Sequence, residues 1–389
     1  MIYWTIHIVL LGLLSYLIFR LVKSEFPPFV FWVGLIFKLA AGLILGYIFY
    51  EYYGMGDTIT FFELAKKPES ENLKSPRIQF FVALLKPLIQ STGGSYWITS
   101  LWLSFISFAA CWYSVVILSG LYKTIKNLIA GCFLFVPSIV FWSSGILKDS
   151  LAFAAMVTLV MLAIKLYKEA KFSAKDVLIL ILSGFLLYKI KHYLFITSLL
   201  FFGMLITSLI LRKIQGRQKW LIAIITLTIA LGATQFIHPY LKISRIAWTL
   251  FENNQAINKK SDTSQLHIFI EDASWNSVVN EIPVALHTGL FRPSILDKTP
   301  AWGWIHKIEN LILATLIFLS LLLCVKLKPD IDWPLFLAAS LCILLLAIML
   351  PLSTPNFGTL VRYKNAFMPF LLLLSSILPY QYLTSQSNE

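Results

Sequence analysis

Apolar blocks of roughly 20 residues recur along this chain. No other feature limits its fold as strongly, because a bilayer core about 30 Å thick is crossed by about 20 helical residues. Eleven blocks bounded by charge or by Pro/Gly clusters can be drawn: 2–19, 29–50, 96–119, 128–147, 150–166, 177–188, 193–211, 220–238, 308–325, 333–352 and 365–384. Inside hydrocarbon the backbone finds no water to bond to, so each crossing must satisfy its own peptide groups as a helix. The chain is 58% hydrophobic and 13% charged, against about half and about a quarter in a soluble domain, which excludes a soluble enzyme. The expectation is an all-α polytopic helix bundle of about eleven transmembrane helices, forming one transmembrane domain over 1–389.

The net charge of +13 comes from 32 Lys+Arg against 19 Asp+Glu, and the basic residues are confined to the gaps between apolar blocks. Anionic membrane lipid, and not nucleic acid, is the partner this pattern suits. The four cysteines, Cys111, Cys132, Cys324 and Cys342, fall inside apolar blocks and show no pairing pattern. The first block lacks a basic leader and a small-x-small cleavage site and is followed by Arg20 and Lys23, as for a retained membrane helix. Block 177–188 is too short to cross without its flanking Lys189 and Lys191 reaching for the interface.

Orientation follows from the distribution of Lys and Arg over short gaps. Gaps 20–28, 120–127, 165–176, 212–219 and 326–332 form the more basic side once the long loop 239–307 is set aside. That side is read as cytoplasmic, with the N-terminus outside and the C-terminus inside. Segment 51–95 is then an outer loop whose stretch 77–90, interrupted by Lys86-Pro87, reads as an interfacial helix. Loop 239–307 is a large outer, periplasmic loop and a candidate lid.

With this topology the unusual polar sequences all fall on the outer side. Six basic residues, Lys148, Lys189, Lys191, Arg292, Arg362 and Lys364, cluster there, in a pattern suited to a phosphate or diphosphate at headgroup depth. Taken singly, each reads equally well as a headgroup anchor. Asp57 follows an aromatic girdle, Tyr47 to Tyr53, and precedes the helical stretch FFELA. One reading makes it the N-cap of that helix. The other makes it a general base for a sugar hydroxyl, or the holder of a divalent cation against a lipid phosphate; no cofactor is certain and the metal question is open.

Supporting candidates are Asp149, paired with Lys148 at a turn, His192 beside Lys191, and Glu309 near the start of a span. Asp149 doubles as a helix-start residue, His192 as an interfacial one and Glu309 as a first-turn acid. Lys38 lies deep inside the second block with no obvious acidic partner.

The set YYGMGDTITFFELA (52–65), PSIVFWSSGILKD (137–149), YKIKHY (188–193), FRP (291–293), Glu309-Asn310 and RYKNAFMPF (362–370) resembles a pattern in bacterial O-antigen and exopolysaccharide polymerases. More distantly it is similar to the GT-C class of polyprenyl-phosphate-sugar glycosyltransferases. The resemblance implies a GT-C-like bundle in the bacterial cytoplasmic (inner) membrane. It implies a polyprenyl-linked sugar as substrate, Asp57 as the base, outer basic residues around the lipid diphosphate, and polysaccharide-assembly proteins as partners.

The function expected is therefore transfer of sugar units from a polyprenyl (di)phosphate carrier on the outer face. Two rivals remain: a transporter or flippase for the same lipid-linked saccharide, and a non-catalytic subunit of a surface-assembly complex. A transporter should carry polar residues deep within several spans.

Overall fold

The computed structural model describes residues 2–67, 75–169, 172–212, 232, 242–259, 265–299 and 303–386. Among these the chain is helical, with one isolated β-bridge between Gln265 and Asn356 and no strand. Seven helices are long and apolar enough to cross a membrane: Ile2–Leu21, Pro28–Tyr52, Tyr96–Leu121, Lys148–Glu169, His192–Arg212, Trp304–Leu327 and Trp333–Ser353. An eighth crossing results if Phe357–Lys364 and Met368–Gln386, bent by 62° at their junction, are one span. These eight fall on eight of the eleven apolar blocks. Block 220–238 lies outside the described residues.

The other two blocks differ for local reasons. Block 128–147 breaks because Pro137 has no N–H to continue a helix and holds Val136 extended, at φ −72 and ψ 119. The result is a half-helix, Pro137–Trp142, followed by a turn in which Gly145 takes φ +70. Block 177–188 lies within Ala174–Ile190, a 17-residue helix begun by a reciprocal Ser173–Asp176 capping box. At about 1.5 Å per residue it is still short of a full crossing.

The chain divides into two compact units, Met1–Phe195 and Ile196–Glu389. The first unit comprises α1 (Ile2–Leu21), α2 (Pro28–Gly46, continued by a π-helical turn Tyr47–Tyr52), α3 (Asp57–Lys66), α4 (Pro76–Ser91), α5 (Tyr96–Leu121), α6 (Lys126–Ala130), α7 (Pro137–Trp142), α8 (Lys148–Glu169) and α9 (Ala174–Ile190). Helix α10 (His192–Arg212) begins at its edge. Helix α8 is the centre of this unit, its spanning window 83% buried, while α1 at 17% presents most of its surface outward.

Apolar attraction does not separate helix from lipid, so contact between spans depends on small residues and internal hydrogen bonds. Gly42 of α2 supplies the closest approach: a Cβ there would stand 2.1 Å from Ser104 Oγ of α5. Ser100 Oγ donates to Gly42 O at 2.9 Å, and Ser104 Oγ accepts from Gly145 N at 2.9 Å. One node thus ties α2 and α5 to the turn after α7. Helix α1 is held by His7, whose Nε2–H donates to Ser91 O at 3.0 Å while Nδ1 accepts the Trp102 indole N–H at 2.9 Å.

The second unit comprises most of α10, from Ile196 on, with α11 (Ile243–Asn258), α12 (Trp275–Asn280), α13 (Ile282–Phe291), α14 (Trp304–Leu327), α15 (Trp333–Ser353), α16 (Phe357–Lys364) and α17 (Met368–Gln386). Its closest crossing is at Gly289, where a Cβ would stand 1.9 Å from Ala347 O. The long loop is pinned by buried amides. Asn254 Nδ2 donates to Ile268 O at 3.2 Å and to Leu352 O at 2.9 Å, and Asn258 Nδ2 reaches both Asn254 Oδ1 and Ile268 O.

Gly42→Ala should lower the unfolding temperature of the purified chain in detergent, corresponding to about 1–3 kcal/mol of overpacking. Gly12→Ala, on α1 with nothing within 4 Å of the added carbon, should leave the melt unchanged or raise it. Equal melts for the two variants would show that the Gly42–Ser104 approach does not hold these helices.

Candidate functional site

In Met1–Phe195, helix α3 begins at Asp57 because Gly56 takes φ +135, a conformation open to glycine, and turns the chain out of the aromatic π-helical turn. Gly56 is therefore the N-cap, and the expected capping position of Asp57 is corrected: it is the first helical residue, where its charge complements the positive end of α3. Its side chain is exposed.

Three contacts fix α3. Phe61 and Phe81 meet edge to face at 5.2 Å, Phe62 and Tyr96 at 5.2 Å, and the Thr58 and Tyr96 hydroxyls bond at 2.5 Å. The Lys148 ammonium lies 4.9 Å from the centroid of Phe61. Asp57 and Phe61 are four residues apart and so share a helix face, neighbours on the α3 surface at about 5–6 Å between Cβ atoms. The carboxylate and this lysine are thus presented toward the same side of α3.

Next along the chain Asp149, in the first turn of α8, pairs with Lys191, the residue that ends α9. Both side chains are more than nine-tenths buried. His192, also buried, opens α10 beside them, its ring 6.4 Å from that of Tyr193. The partner of Asp149 is therefore not its neighbour Lys148, as the linear sequence suggested, but Lys191: a helix sends residues i and i+1 about 100° apart. Lys189 is exposed, its ammonium 5.7 Å from the Phe185 ring, which in turn meets Phe80 of α4 at 5.8 Å. Lys189 is thus carried outward on an aromatic face.

Lys38 is buried and donates to Ser143 Oγ at the carbonyl end of α7, with the Phe153 ring 5.6 Å away. Ser143 Oγ itself donates to Ile139 O, and Ser144 Oγ donates to Lys38 O at 3.2 Å and Val140 O at 2.6 Å. The lysine in the second span thus closes the break in the half-helix, with no acid needed.

In Ile196–Glu389 the cations are more fully engaged. Arg292 Nε lies 3.1 Å from both carboxylate oxygens of Asp297, and its guanidinium stacks 4.9 Å from the Phe357 centroid. Burial acts to raise the Asp297 acid, but hydrogen bonds from Arg292 and Ser294 outweigh it and hold the carboxyl below its ordinary range. Lys364 is buried and its three donors go to Leu290 O at 3.0 Å, Arg292 O at 3.1 Å and Asn310 Oδ1 at 2.9 Å. Asn310 in turn donates to Pro293 O at 2.8 Å.

The Phe291-Arg292-Pro293 stretch is thereby fastened to α14 and α16. Glu309 lies on α14, near enough for its charge to act on Lys364. Arg362 is half-buried over its neighbour Tyr363 at 5.1 Å. Asn365, at the bend between α16 and α17, is buried with neither amide atom hydrogen-bonded among the described residues. Its sequence signal was only its place in RYKNAF, between a basic run and an apolar block.

The structure therefore brings together Asp57 with Lys148, and Asp149 with Lys191 and His192, in one unit, and Arg292, Glu309 and Lys364 in the other. Among the described residues no group of three or more His, Cys, Asp or Glu side chains gathers that could hold a metal ion. Comparison with protein-family models, with curated proteins and with solved structures finds no match.

Two measurements test these contacts. Lys191→Met or Asp149→Leu alone leaves a charge buried and should cost about 3–5 kcal/mol, while the double variant should recover much of it; additive losses in thermal melts would refute the pair. For Asp297, a carboxyl depressed in the folded state adds stability above its unfolded value of about 3.9, and loses it as the pH falls further. The melting temperature of the wild type should drop below about pH 4 more steeply than that of Asp297→Asn, and parallel curves would refute it.

Proposed function

We propose that the chain is a membrane glycosyltransferase or polysaccharide polymerase of GT-C-like architecture, transferring sugar units from a polyprenyl (di)phosphate carrier during surface-polysaccharide biosynthesis. The reaction is placed on the outer face of the bacterial cytoplasmic membrane, with the N-terminus outside and the C-terminus in the cytoplasm. One observation carries this reading: the face of α3 that bears the exposed Asp57 also packs Phe61 under the Lys148 ammonium. A base and a phosphate-binding cation are thus offered together, next to a span end.

In this mechanism the acceptor hydroxyl attacks the anomeric carbon of the carrier-linked sugar. Asp57 takes the hydroxyl proton as the new C–O bond forms, and the bond from that carbon to the phosphate oxygen breaks with its electron pair on the phosphate. Lys148 and the exposed Lys189 meet the charge that develops on the leaving phosphate, where a partly desolvated setting strengthens the attraction. Lys191 acts through Asp149, holding the start of α8 in place. In the second unit Arg292, Glu309 and Lys364 set the shape of the loop, and polysaccharide-assembly proteins are partners.

A second reading, a transporter for the same lipid-linked saccharide, is favoured by one observation. Helix α5 carries buried Ser100, Ser104, Ser107 and Ser114 along one stripe, facing the region of Lys38. Polar groups at that depth are costly and mark pathways as often as they mark helix contacts.

Asp57→Asn, reconstituted with a lipid-linked oligosaccharide, should lose about 10²–10⁴-fold in the rate of glycan extension. Lys148→Gln should lose less. Wild-type polymer length and yield from Asp57→Asn would sink the assignment. Movement of the lipid-linked saccharide across a vesicle with no change in glycan mass would establish the transporter.

A further inference from the structure

A cavity of about 370 Å³ opens between α3 and α4, lined by Ala65, Lys66, Lys86, Ile89, Gln90 and Gly94. It lies at the far end of α3 from Asp57, nine residues and so about 13 Å along the axis. It is therefore separate from the transfer site proposed above. The volume is within the range of small-ligand pockets, roughly 300–1,000 Å³.

Its depth in the membrane is fixed by two spans. Gly94 stands two residues before α5 begins at Tyr96. Its neighbour Gly93 packs on Tyr3 in the first turn of α1, where an added Cβ would lie 2.9 Å from the ring. Two membrane-spanning helices thus begin at this cavity, which places it at headgroup level.

The chemistry of the lining is specific. Lys66 rests over the Phe62 ring at 4.3 Å and reaches Glu63 at 3.6 Å, a long, exposed pairing that leaves its ammonium donors available. Lys86 is half-buried, and neither its side chain nor that of Gln90 makes a hydrogen bond or ion pair among the described residues. The N–H groups of Gly93 and Gly94 are spent on Gln90 O and Ile89 O at the end of α4, so the donors into the cavity are side chains. Ala65, Ile89 and the lysine stems form an aliphatic wall.

We propose that this cavity is a binding site for a phosphate group, with Lys66 and Lys86 contacting the phosphate oxygens, Gln90 donating beside them, and the aliphatic wall facing the first chain carbons where the phosphate is a lipid's. Two compact ammonium charges bind phosphate as point charges, the mode lysine uses at phosphate sites. The phosphate comes from a membrane lipid or from solution, and the test separates the two.

The full chain, stripped of lipid in a neutral maltoside detergent, is titrated with dioctanoyl phosphatidylglycerol, dioctanoylglycerol and inorganic phosphate, read by native mass spectrometry and thermal shift. A one-to-one adduct with phosphatidylglycerol and none with dioctanoylglycerol is the result expected for a lipid headgroup. Inorganic phosphate binding as tightly as the lipid assigns the site to the free anion. The Lys66→Gln/Lys86→Gln variant should weaken binding at least tenfold, and Lys66→Arg/Lys86→Arg should retain it.

Lys86→Glu alone, at a residue with no partner to lose among the described residues, covers the case in which the double variant does not fold, and should likewise abolish the adduct. Equal binding of phosphatidylglycerol and dioctanoylglycerol, or undiminished binding by the folded Gln or Glu variant, would overturn the proposal. No sugar transfer is measured, so failure here is distinct from failure of the transferase reading.

Discussion

Everything in the first unit hangs on the approach of Gly42 to Ser104. A helix in lipid gains nothing by exchanging one hydrocarbon neighbour for another, so a bundle needs backbones close enough for dispersion and for hydrogen bonds to carbonyls. At Gly42 both occur: Ser100 bonds its carbonyl, and Ser104 accepts from Gly145 in the turn that follows the half-helix α7. That turn then aims α8, whose first residues are Lys148 and Asp149. The position of the cation over Phe61 therefore follows from a contact without charge, between the second and third spans.

The excess of positive charge divides into cations that build and cations that face outward. Lys38, Lys191, Arg292 and Lys364 each meet a partner inside the protein: a serine at a helix end, Asp149, Asp297, and a set of three oxygens. Desolvating an ammonium is expensive, and only such partners offset the cost. Lys189 stays exposed and Lys148 half-buried, each over a phenylalanine ring that holds the stem while leaving the charge near water. A basic residue beside a span end is thus not one kind of residue, and its neighbours along the chain do not say which kind it is.

This marks where the sequence was legible. Seven spans, and an eighth if the bent pair α16 and α17 is one, were readable because length and apolarity are properties of a local window. The capping box at Ser173 and the break before Pro137 are local features that hydropathy does not register: the apolar run 128–147 reads as a crossing because hydropathy is blind to one missing N–H. Asp149 and Lys191 are 42 positions apart, and Lys364 and Leu290 are 74 apart. Nothing short of the fold joins them, so the pairing of Asp149 with its neighbour Lys148 was the natural reading and the wrong one. Asp57 was legible as an acid at a helix start, while the role of Gly56 as the cap turns on a positive φ that only glycine accepts easily.

What the proposed reaction asks of its residues can be set against these differences in commitment. A general base must be open to the acceptor and held still, because misplacement by an ångström is costly in rate. Asp57 is exposed on a helix whose next turns are locked by Phe61, Phe62 and Thr58 against Phe81 and Tyr96. A phosphate-binding cation must be open to its ligand, which disfavours the buried Lys191 and Lys364 and, in the first unit, favours the exposed Lys189 and the half-buried Lys148. The buried pairs then act as the frame: removing one deforms the unit, whereas removing an outward cation changes what the unit binds. That separation of stability from binding follows from burial alone, and it divides the basic residues of this chain into those that hold its helices and those that the transferase reading places on its substrate.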